Sequence, residues 1–463
     1  MSKNNIHFVI SERKILLRIL DIVFVISGLY LVGFIFEFDY FKVLSDNWIW
    51  SIVLAIYLTV FATIFELYNL QKASKLDVVV KNVLLTTSIT VLFYLLTPFY
   101  TPMLPNNRLQ IVYFFLAINI ALLLWRYAYI ALITSPRFNK NVILIAHAKD
   151  IDAIVQSLHK SDPNYRVIGY YNTDESNKIN LDHLQIDAYK LEDLRPSKLN
   201  KNYSEIVVAT PLSYGISVAL NNQLISLLKN NVPIRDYNQV YEELTQRIPV
   251  QYVDRDFYRY FPFSRSNQNK LYLFFSRILE LLFSILGLLC ALVILPFILI
   301  GNLLANRGPL FYTQTRVGKN REHFEIYKFR SMVINAESEG AQFAKAKDSR
   351  VTQFGRFLRR SRIDEIPQFI NVIKGDMAII GPRPERPFFV EKLQECIPFY
   401  EVRHVVKPGI TGWAQVNARY GSSDKDALEK LQYDLYYIKH KGLFLDIATL
   451  VKTLSTVIFF RGQ

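Results

Sequence analysis

The sequence predicts a membrane protein of mixed class, membrane α plus α/β: a four-helix transmembrane bundle, a soluble α/β domain, and a basic C-terminal domain anchored by a re-entrant membrane helix. Three observations predict it. Hydrophobic residues make up 51% of the 463 residues and the mean hydropathy is +0.15, above the usual range of soluble enzymes. Four long apolar runs fill the first 140 residues, and strand-like and helix-like segments alternate over 141–262. A fifth apolar run, 271–301, is too long and too interrupted for one plain span.

The four runs lie near 15–36, 48–68, 78–97 and 109–133, each long enough for a helix to cross about 30 Å of hydrocarbon. None resembles a cleaved signal peptide, because the first run is long and no small-residue cleavage site follows it. Arg13, Lys14 and Arg18 stand before or at the start of the first run, Lys72, Lys75 and Lys81 between the second and third or at the start of the third, and Arg137 and Lys140 follow the fourth. The other two connections are poor in cations: Glu37, Asp39 and Asp46 outnumber Lys42 in one, and "PFYTPMLPNN" is nearly neutral. By the positive-inside rule both ends of this bundle, 1–140, are cytoplasmic.

Residues 141–262 read as a degenerate Rossmann-like domain. "NVILIAHA", "YRVIGYYN" and "SEIVVAT" are strand-like, while "DIDAIVQSLHK" and "ALNNQLISLLKNN" have helical periodicity. The first strand-to-helix turn, "AHAKD", lacks the glycines that let a backbone close on a pyrophosphate. The expected role is structural or regulatory, with no bound dinucleotide.

The fifth run carries Arg277 and Glu280 near its start and Pro296 near its end, with Lys270 and Arg307 on its flanks. A full crossing would strand the basic C-terminal third outside. A helix broken near Pro296 that enters the inner leaflet and returns keeps the domain 263–463 cytoplasmic and monotopic. At the C-terminus, "LFLDIATLVKTLSTVIFF" contains Asp446 and Lys452 and reads as an interfacial or packed helix, not a further span.

The net charge of +14 is spread along a chain with 40 acids, which suits a cytoplasmic membrane surface, membrane lipid and anionic ligands. No zinc-finger spacing or other nucleic-acid motif occurs, so nucleic acid is not an expected partner. The two cysteines, Cys290 and Cys396, give neither a disulfide framework nor a metal cluster.

From 308 onward short dense motifs take over: "GPLFYTQTRVGKNREHFEIYKFRSM", "RRSRIDEIPQFINVIKGDMAIIGPRPE", "VKPGITGWAQVNARYG" and "YDLYYIKHKGLFLDIATLVKT". In the second, Asp364 and Glu365 stand behind a knot of arginines and ahead of Pro367. Acids before a proline commonly start a helix and satisfy its free N–H groups, and that reading competes with a chemical one. Asp376 is an acid in a Gly-Asp turn signal, and "KPGITGW" a loop with Trp413. His404 and His440 lack a partner carboxylate at a telling spacing and suit surface or core roles.

These blocks, in this order, resemble the bacterial sugar transferase family, the monotopic phosphoglycosyl transferases; the resemblance covers roughly 270–463. The spans and α/β domain ahead of it resemble the larger members, such as undecaprenyl-phosphate glucose phosphotransferases. The resemblance implies transfer of a sugar-1-phosphate from a UDP-sugar to undecaprenyl phosphate with release of UMP, through a phosphosugar intermediate on an aspartate. It implies Asp364 as nucleophile, Glu365 as a holder of Mg²⁺, and Arg383 of the Pro-Arg-Pro element on the donor's phosphates. Attack at phosphorus between anionic partners needs cations, and Lys328, Arg330, the run Arg356, Arg359, Arg360 and Arg362, and Arg383 provide them. In such surroundings the carboxylates should stay ionised. Asp376 is a second candidate for donor or metal contacts, and part of the arginine run suits anionic lipid headgroups. Glu280 stands where many members have Asp, and Arg321 where a glycine is common.

The resemblance places the protein in the bacterial inner membrane with its catalytic domain on the cytoplasmic face, at the start of exopolysaccharide, capsule or O-antigen assembly. Glucose and galactose are the expected sugars, with no residue deciding between them, and a homodimer would suit the large middle domain. The competing reading is an inactive membrane scaffold or regulator. The intact set Lys328, Arg330, Asp364, Glu365 and Arg383 argues against it.

Overall fold

The computed structural model describes residues 10–36, 40, 47–69, 73, 76–133, 139–162, 164–174, 186–195, 203–209, 217–252, 269–334, 336, 348–418, 421 and 423–458. Two compact units result, Met1–Thr245 and Gln246–Gln463. Of the charges that orient the bundle, Glu37, Asp39, Lys42, Asp46, Lys72, Lys75 and Arg137 lie outside the described residues, as does the expected domain junction at 262–263.

The first unit opens with α1 (Ile10–Phe36), α2 (Trp48–Ile64), α3 (Leu76–Leu95) and α4 (Leu109–Ile133). Of these, α1, α3 and α4 contain stretches long and apolar enough to cross a membrane. Helix α2 is shorter than its apolar run: the chain leaves the helix at Phe65 and adopts a left-handed φ of 59° at Glu66, leaving 17 helical residues, about 25 Å of rise. Gly28 brings α1 against α4, since a Cβ there would stand 2.9 Å from that of Ala121. The apolar runs also conceal a buried ion pair. Arg126 Nη2 donates to Asp21 Oδ2 at 2.5 Å and Nη1 to the Leu67 carbonyl at 2.9 Å, with both charged residues at 0% exposure. One guanidinium thus ties α1, α4 and the turn after α2 together, giving a charge in an apolar bundle the partners it requires.

The rest of this unit is α/β. Strands β1 (Lys140–Ala146), β2 (Tyr165–Asn172), β3 (Asp187–Tyr189), β4 (Glu205–Ala209) and β5 (Ile234–Asp236) form one sheet in the order β3-β2-β1-β4-β5, all neighbours parallel. The central β1 buries Ile143, Leu144 and Ile145 completely, as a continuous apolar strand in a parallel sheet should. Helix α5 (Ile151–Ser161) turns Ile151, Ile154, Val155 and Leu158 inward at i, i+3, i+4 and i+7. Helices α6 (Val218–Lys229) and α7 (Tyr237–Thr245) complete it. Arg13 of α1 pairs with Asp162 at the end of α5 at 3.5 Å.

The second unit is dominated by α8 (Lys270–Gly301), whose N-cap Asn269 accepts from the Leu271 and Tyr272 amides at 3.1 and 3.3 Å. The sequence predicts a break near Pro296. Instead the helical backbone runs through Pro296 to Gly301, continues as a π-helical turn over Asn302–Asn306, and reverses at Arg307 with φ 48°. The π turn is closed by the Arg307 amide, which donates to the Asn302 carbonyl at 2.8 Å. Along α8 only Ser284 and Ile298 are buried.

After the reversal come a hairpin of β6 (Phe311–Val317) and β7 (His323–Phe329), then α9 (Gln353–Arg360), a 3₁₀ turn (Ile363–Glu365), α10 (Gln368–Lys374), β8 (Ala378–Ile380), α11 (Pro387–Cys396), β9 (Gly409–Thr411), α12 (Trp413–Asn417), α13 (Asp424–His440) and α14 (Leu443–Ile458). Strands β8 and β9 pair in parallel. Leu393, Tyr400, Trp413, Leu435, Tyr437 and Ile438 centre the core. Helix α14 turns Asp446 inward to hydroxyl donors on Tyr272 and, at 2.9 Å, Tyr437, and leaves Leu443, Phe444 and Ile447 exposed, the pattern of an interfacial helix.

Helix α8 meets this unit at both ends. Arg277 donates to the carbonyls of Val372 and Ile373 at 2.8 and 3.0 Å, capping the end of α10. A Cβ on Gly287 would fall 2.4 Å from the Phe369 ring, and one on Gly301 2.3 Å from that of Phe354, so these glycines admit aromatic rings from the segments that carry the site. Ile298 packs with Phe329 and Leu358.

Candidate active site

The acidic pair owes its position to a tight reversal. Thr352 caps α9 by accepting from the Gly355 amide at 2.8 Å, and any Cβ on Gly355 would collide with the Ser331 carbonyl at 1.9 Å. Helix α9 ends at Ser361, Arg362 takes a left-handed φ of 58°, and Asp364 and Glu365 follow on the single 3₁₀ turn. On such a turn neighbouring side chains diverge by about 120°, against about 100° on an α-helix. The helix-start reading of the pair fails. The N-terminal position of α10 is Pro367, and no side chain caps it.

Cations occupy the pair instead. Glu365 Oε1 accepts from Arg383 Nη2 at 2.7 Å and from Lys328 Nζ at 3.2 Å, and Oε2 lies 3.5 Å from Arg362 Nη1. Lys328 arrives from β7, where it stands opposite Tyr312. Arg359, on the last turn of α9, donates to Ser331 Oγ at 2.9 Å and lies close enough to Asp364 to stabilise its charge. Asp364 is 6% exposed, and its Oδ1 has no hydrogen-bond partner among the described residues. A buried acceptor left unused costs free energy, and such positions gather where a ligand is bound.

The two carboxyls titrate in opposite directions. Burial opposes ionisation of Glu365, but Arg383, Lys328 and Arg362 together outweigh it and hold the group well below the usual range. Asp364 is pushed up to about 6, by burial first and then by the charge of Glu365, against the pull of Lys328, Arg359 and Arg362. Both carboxyls are therefore mainly ionised at neutral pH, as expected, with Asp364 much nearer its titration range because of its burial and the charge of Glu365. Burial also pulls the Lys328 ammonium down, with Glu365 acting against it.

Other expected residues stand elsewhere. Arg330 is two positions beyond Lys328, but β7 ends at Phe329, and the Arg330 guanidinium turns to the Pro309 carbonyl at 3.0 Å and over the Tyr312 ring. Arg360 is exposed on the outer face of α9. Asp376 lies past the far end of α10, accepting from Asn371 Nδ2 at 3.2 Å. His404 is buried and held down at about 3, by burial first and then by Arg403, which fits a neutral core histidine.

Three residues of the site's support escape sequence reading. Arg316 Nη1 donates to the Pro384 carbonyl at 3.1 Å. Arg403 Nη2 donates to the Arg383 carbonyl at 2.9 Å and to Asp434 Oδ2 at 2.9 Å. Arg316 stands in the recognisable "QTRVG" block and Asp434 opens the "YDLYYIKHKG" block, though neither block shows what they hold; Arg403 lies outside every quoted block.

A divalent ion fits the pair's donor set. Asp364 Oδ1 is an unused buried acceptor beside a second carboxylate, and Mg²⁺ commonly takes one or two carboxylates with phosphate oxygens and waters. Among the described residues no three His, Cys, Asp or Glu side chains gather into a metal cage, so much of the coordination would come from substrate.

A sequence model of the family described as bacterial sugar transferase matches residues 271–460. Over 230 residues the chain is 40% identical to a UDP-N-acetylgalactosamine-undecaprenyl-phosphate N-acetylgalactosaminephosphotransferase of Aeromonas hydrophila, covering 49% of this chain and 53% of that protein. Over 318 residues it is 30% identical to a UDP-glucose:undecaprenyl-phosphate glucose-1-phosphate transferase of Escherichia coli (strain K12), covering 67% of this chain and 66% of the relative. An uncharacterized sugar transferase of Bacillus subtilis (strain 168) is 36% identical over 190 residues, 40% of this chain and 88% of its own length. The chain thus spans about half of the Aeromonas relative and most of the Bacillus one.

Proposed function

The chain belongs to the bacterial sugar transferase family, and on that premise we propose that it transfers a sugar-1-phosphate from a UDP-sugar to undecaprenyl phosphate, releasing UMP. The observation that carries this reading is Asp364: buried, with an oxygen that has no partner among the described residues, beside a glutamate that three cations hold ionised.

In the first step a carboxylate oxygen of Asp364 attacks the phosphorus that bears the sugar. The bond from that phosphorus to the bridging oxygen breaks, and UMP leaves with the electron pair. An oxygen of undecaprenyl phosphate then attacks the same phosphorus, Asp364 departs as a free carboxylate, and the lipid carries a diphosphate sugar. Arg383 and Lys328 would turn from Glu365 to the donor's phosphate oxygens, with Arg359 and Arg362 adding fixed positive charge where negative charge develops. Mg²⁺, held by Glu365 with Asp364 beside it, would neutralise diphosphate charge. Arg360 and Arg356, exposed on α9, suit lipid headgroups. Arg330 and Asp376 would meet substrate only at the rim.

The contacts of α8 favour a re-entrant helix. About 36 Å of rise separates residues 277 and 301 if the helix is straight, yet both ends touch one folded unit that carries the charged site. A helix crossing the bilayer would hold its far end away from that unit. The catalytic unit then sits on the cytoplasmic face of the inner membrane, and the parallel sheet of the first unit is a Rossmann-like domain without a dinucleotide loop. The relatives' names add N-acetylgalactosamine to glucose and galactose as candidate sugars.

The test is nucleotide release by the detergent-purified full chain, given undecaprenyl phosphate, Mg²⁺ and UDP-glucose, UDP-galactose or UDP-N-acetylgalactosamine. UMP formed with one donor is the expected result. UDP as product would make the protein an ordinary glycosyl transferase and remove Asp364 from its role.

A further inference from the structure

We propose that Arg316 and Arg403 are positioning residues that fix the Pro382-Arg383-Pro384 segment from behind, so that Arg383 is already aimed when the donor's diphosphate arrives. This rests on the function proposed above.

Every backbone carbonyl from 382 to 385 has a donor. The Gly409 amide donates to Pro382 at 2.9 Å, and the Val317 amide donates to Glu385 at 3.0 Å. Between these backbone bonds, the two middle carbonyls receive guanidinium groups: Arg403 Nη2 at 2.9 Å on Arg383, and Arg316 Nη1 at 3.1 Å on Pro384. The two prolines have fixed φ and no N–H, which removes most of the segment's remaining freedom.

Both arginines are themselves held. Arg403 is 6% exposed and also donates to Tyr400 Oη at 2.6 Å and Asp434 Oδ2 at 2.9 Å, with Tyr400 and Asp434 both buried. Arg316 donates to Gln314 Oε1 at 2.6 Å and lies 3.7 Å from Glu385. Burial draws Arg316 down to about 10, so it is still charged at neutral pH, even though Arg383 and Arg386 stand close by.

A neutral amide would satisfy a carbonyl at far lower cost than a buried guanidinium, and crowding cations around Arg383 opposes folding. That arrangement is explicable if position and positive field at Arg383 both matter to an anionic ligand. A planar, multi-donor head can tie a carbonyl and an anchoring group at once, which an ammonium cannot do with the same rigidity. Arg316 and Arg403 reach the segment from opposite sides in sequence, 68 and 20 residues from the carbonyls they hold.

The probe is UDP with Mg²⁺, which carries the diphosphate whatever the sugar, titrated against the full chain in detergent. Arg316→Gln should weaken UDP about tenfold, and Arg383→Ala at least as much. If Arg316 acts through Arg383, the double variant should bind within about twofold of Arg383→Ala alone, and Arg316→Lys should recover some of the loss. Effects that multiply, or UDP affinity within about twofold of wild type for Arg316→Gln, would overturn the proposal. Because replacing Arg403 can prevent folding, Tyr400→Phe loosens it more gently, and the thermal midpoint is followed alongside. Weaker UDP binding at an unchanged midpoint supports positioning, and a lowered midpoint with unchanged UDP affinity rejects it. Wild-type protein that fails to bind UDP at all would instead remove the donor-site reading on which the proposal stands.

Discussion

Two buried aspartates of the second unit, Asp434 and Asp364, have both been pushed up to about 6 by burial, yet they are built for opposite ends. Asp434 faces Arg403 one to one, and its Oδ2 is hydrogen-bonded in a closed network with Tyr400. Asp364 has an oxygen without a partner among the described residues, and it and Glu365 are two carboxylates among four cations, Lys328, Arg359, Arg362 and Arg383. A raised pKa therefore says only that a carboxyl is buried. The unused acceptor and the surplus positive charge are what mark a place for an anionic ligand.

The sharpest way to break that comparison is to neutralise each aspartate. Asp364→Asn should lower UMP release by roughly three orders of magnitude or more, as loss of a nucleophile does, with the melting temperature unchanged or raised. Residual turnover near wild type would place the nucleophile elsewhere. Asp434→Ala should act on the fold, costing about 3–5 kcal/mol because Arg403 is left buried and unpaired. A detergent melt that hardly moves would show that the network is looser than its distances imply.

A smaller effect separates the cations. Arg383→Ala should raise the donor KM by about tenfold or more while the undecaprenyl phosphate KM stays within about twofold. Equal rises in both would shift Arg383 from donor binding to general support of the site.

The smallest effect is the pH profile. An attacking Asp364 must be deprotonated, so kcat/KM should be flat above about 6 and fall toward tenfold per unit below it. Acid unfolding should not explain that limb. Asp364 and Asp434 have folded pKa values above the unfolded value of about 3.9, so their contribution to stability declines as pH rises through that interval and is recovered on acidification. Glu365 is lowered, and its contribution is lost only as pH falls below about 4.3, the unfolded value. A profile independent of pH between 5 and 7 would contradict the position given to Asp364.

Local chemistry was legible in the chain. Apolar runs announced α1, α3, α4 and α8, because hydropathy is a property of consecutive residues. Alternating segments announced the parallel sheet, and the motif order carried the family resemblance. Even so, local rules misplaced some details. Strand periodicity puts Lys328 and Arg330 on one face, but the strand stops at Phe329 and releases Arg330 toward Pro309. Similarly, α9 directs Arg359 toward Ser331 while Arg360, one position on, remains in the open.

By itself, then, the sequence determined the class of the protein, the apolar helices and the acidic pair with its basic surroundings. Only tertiary structure decided which cation meets which acceptor. Lys328 reaches Glu365 across 37 positions, Arg316 reaches Pro384 across 68, and Arg126 reaches Asp21 across 105. No local pattern encodes such pairings. They exist because packing buries a charge, and a buried charge must be met by whatever group the fold brings within hydrogen-bond reach.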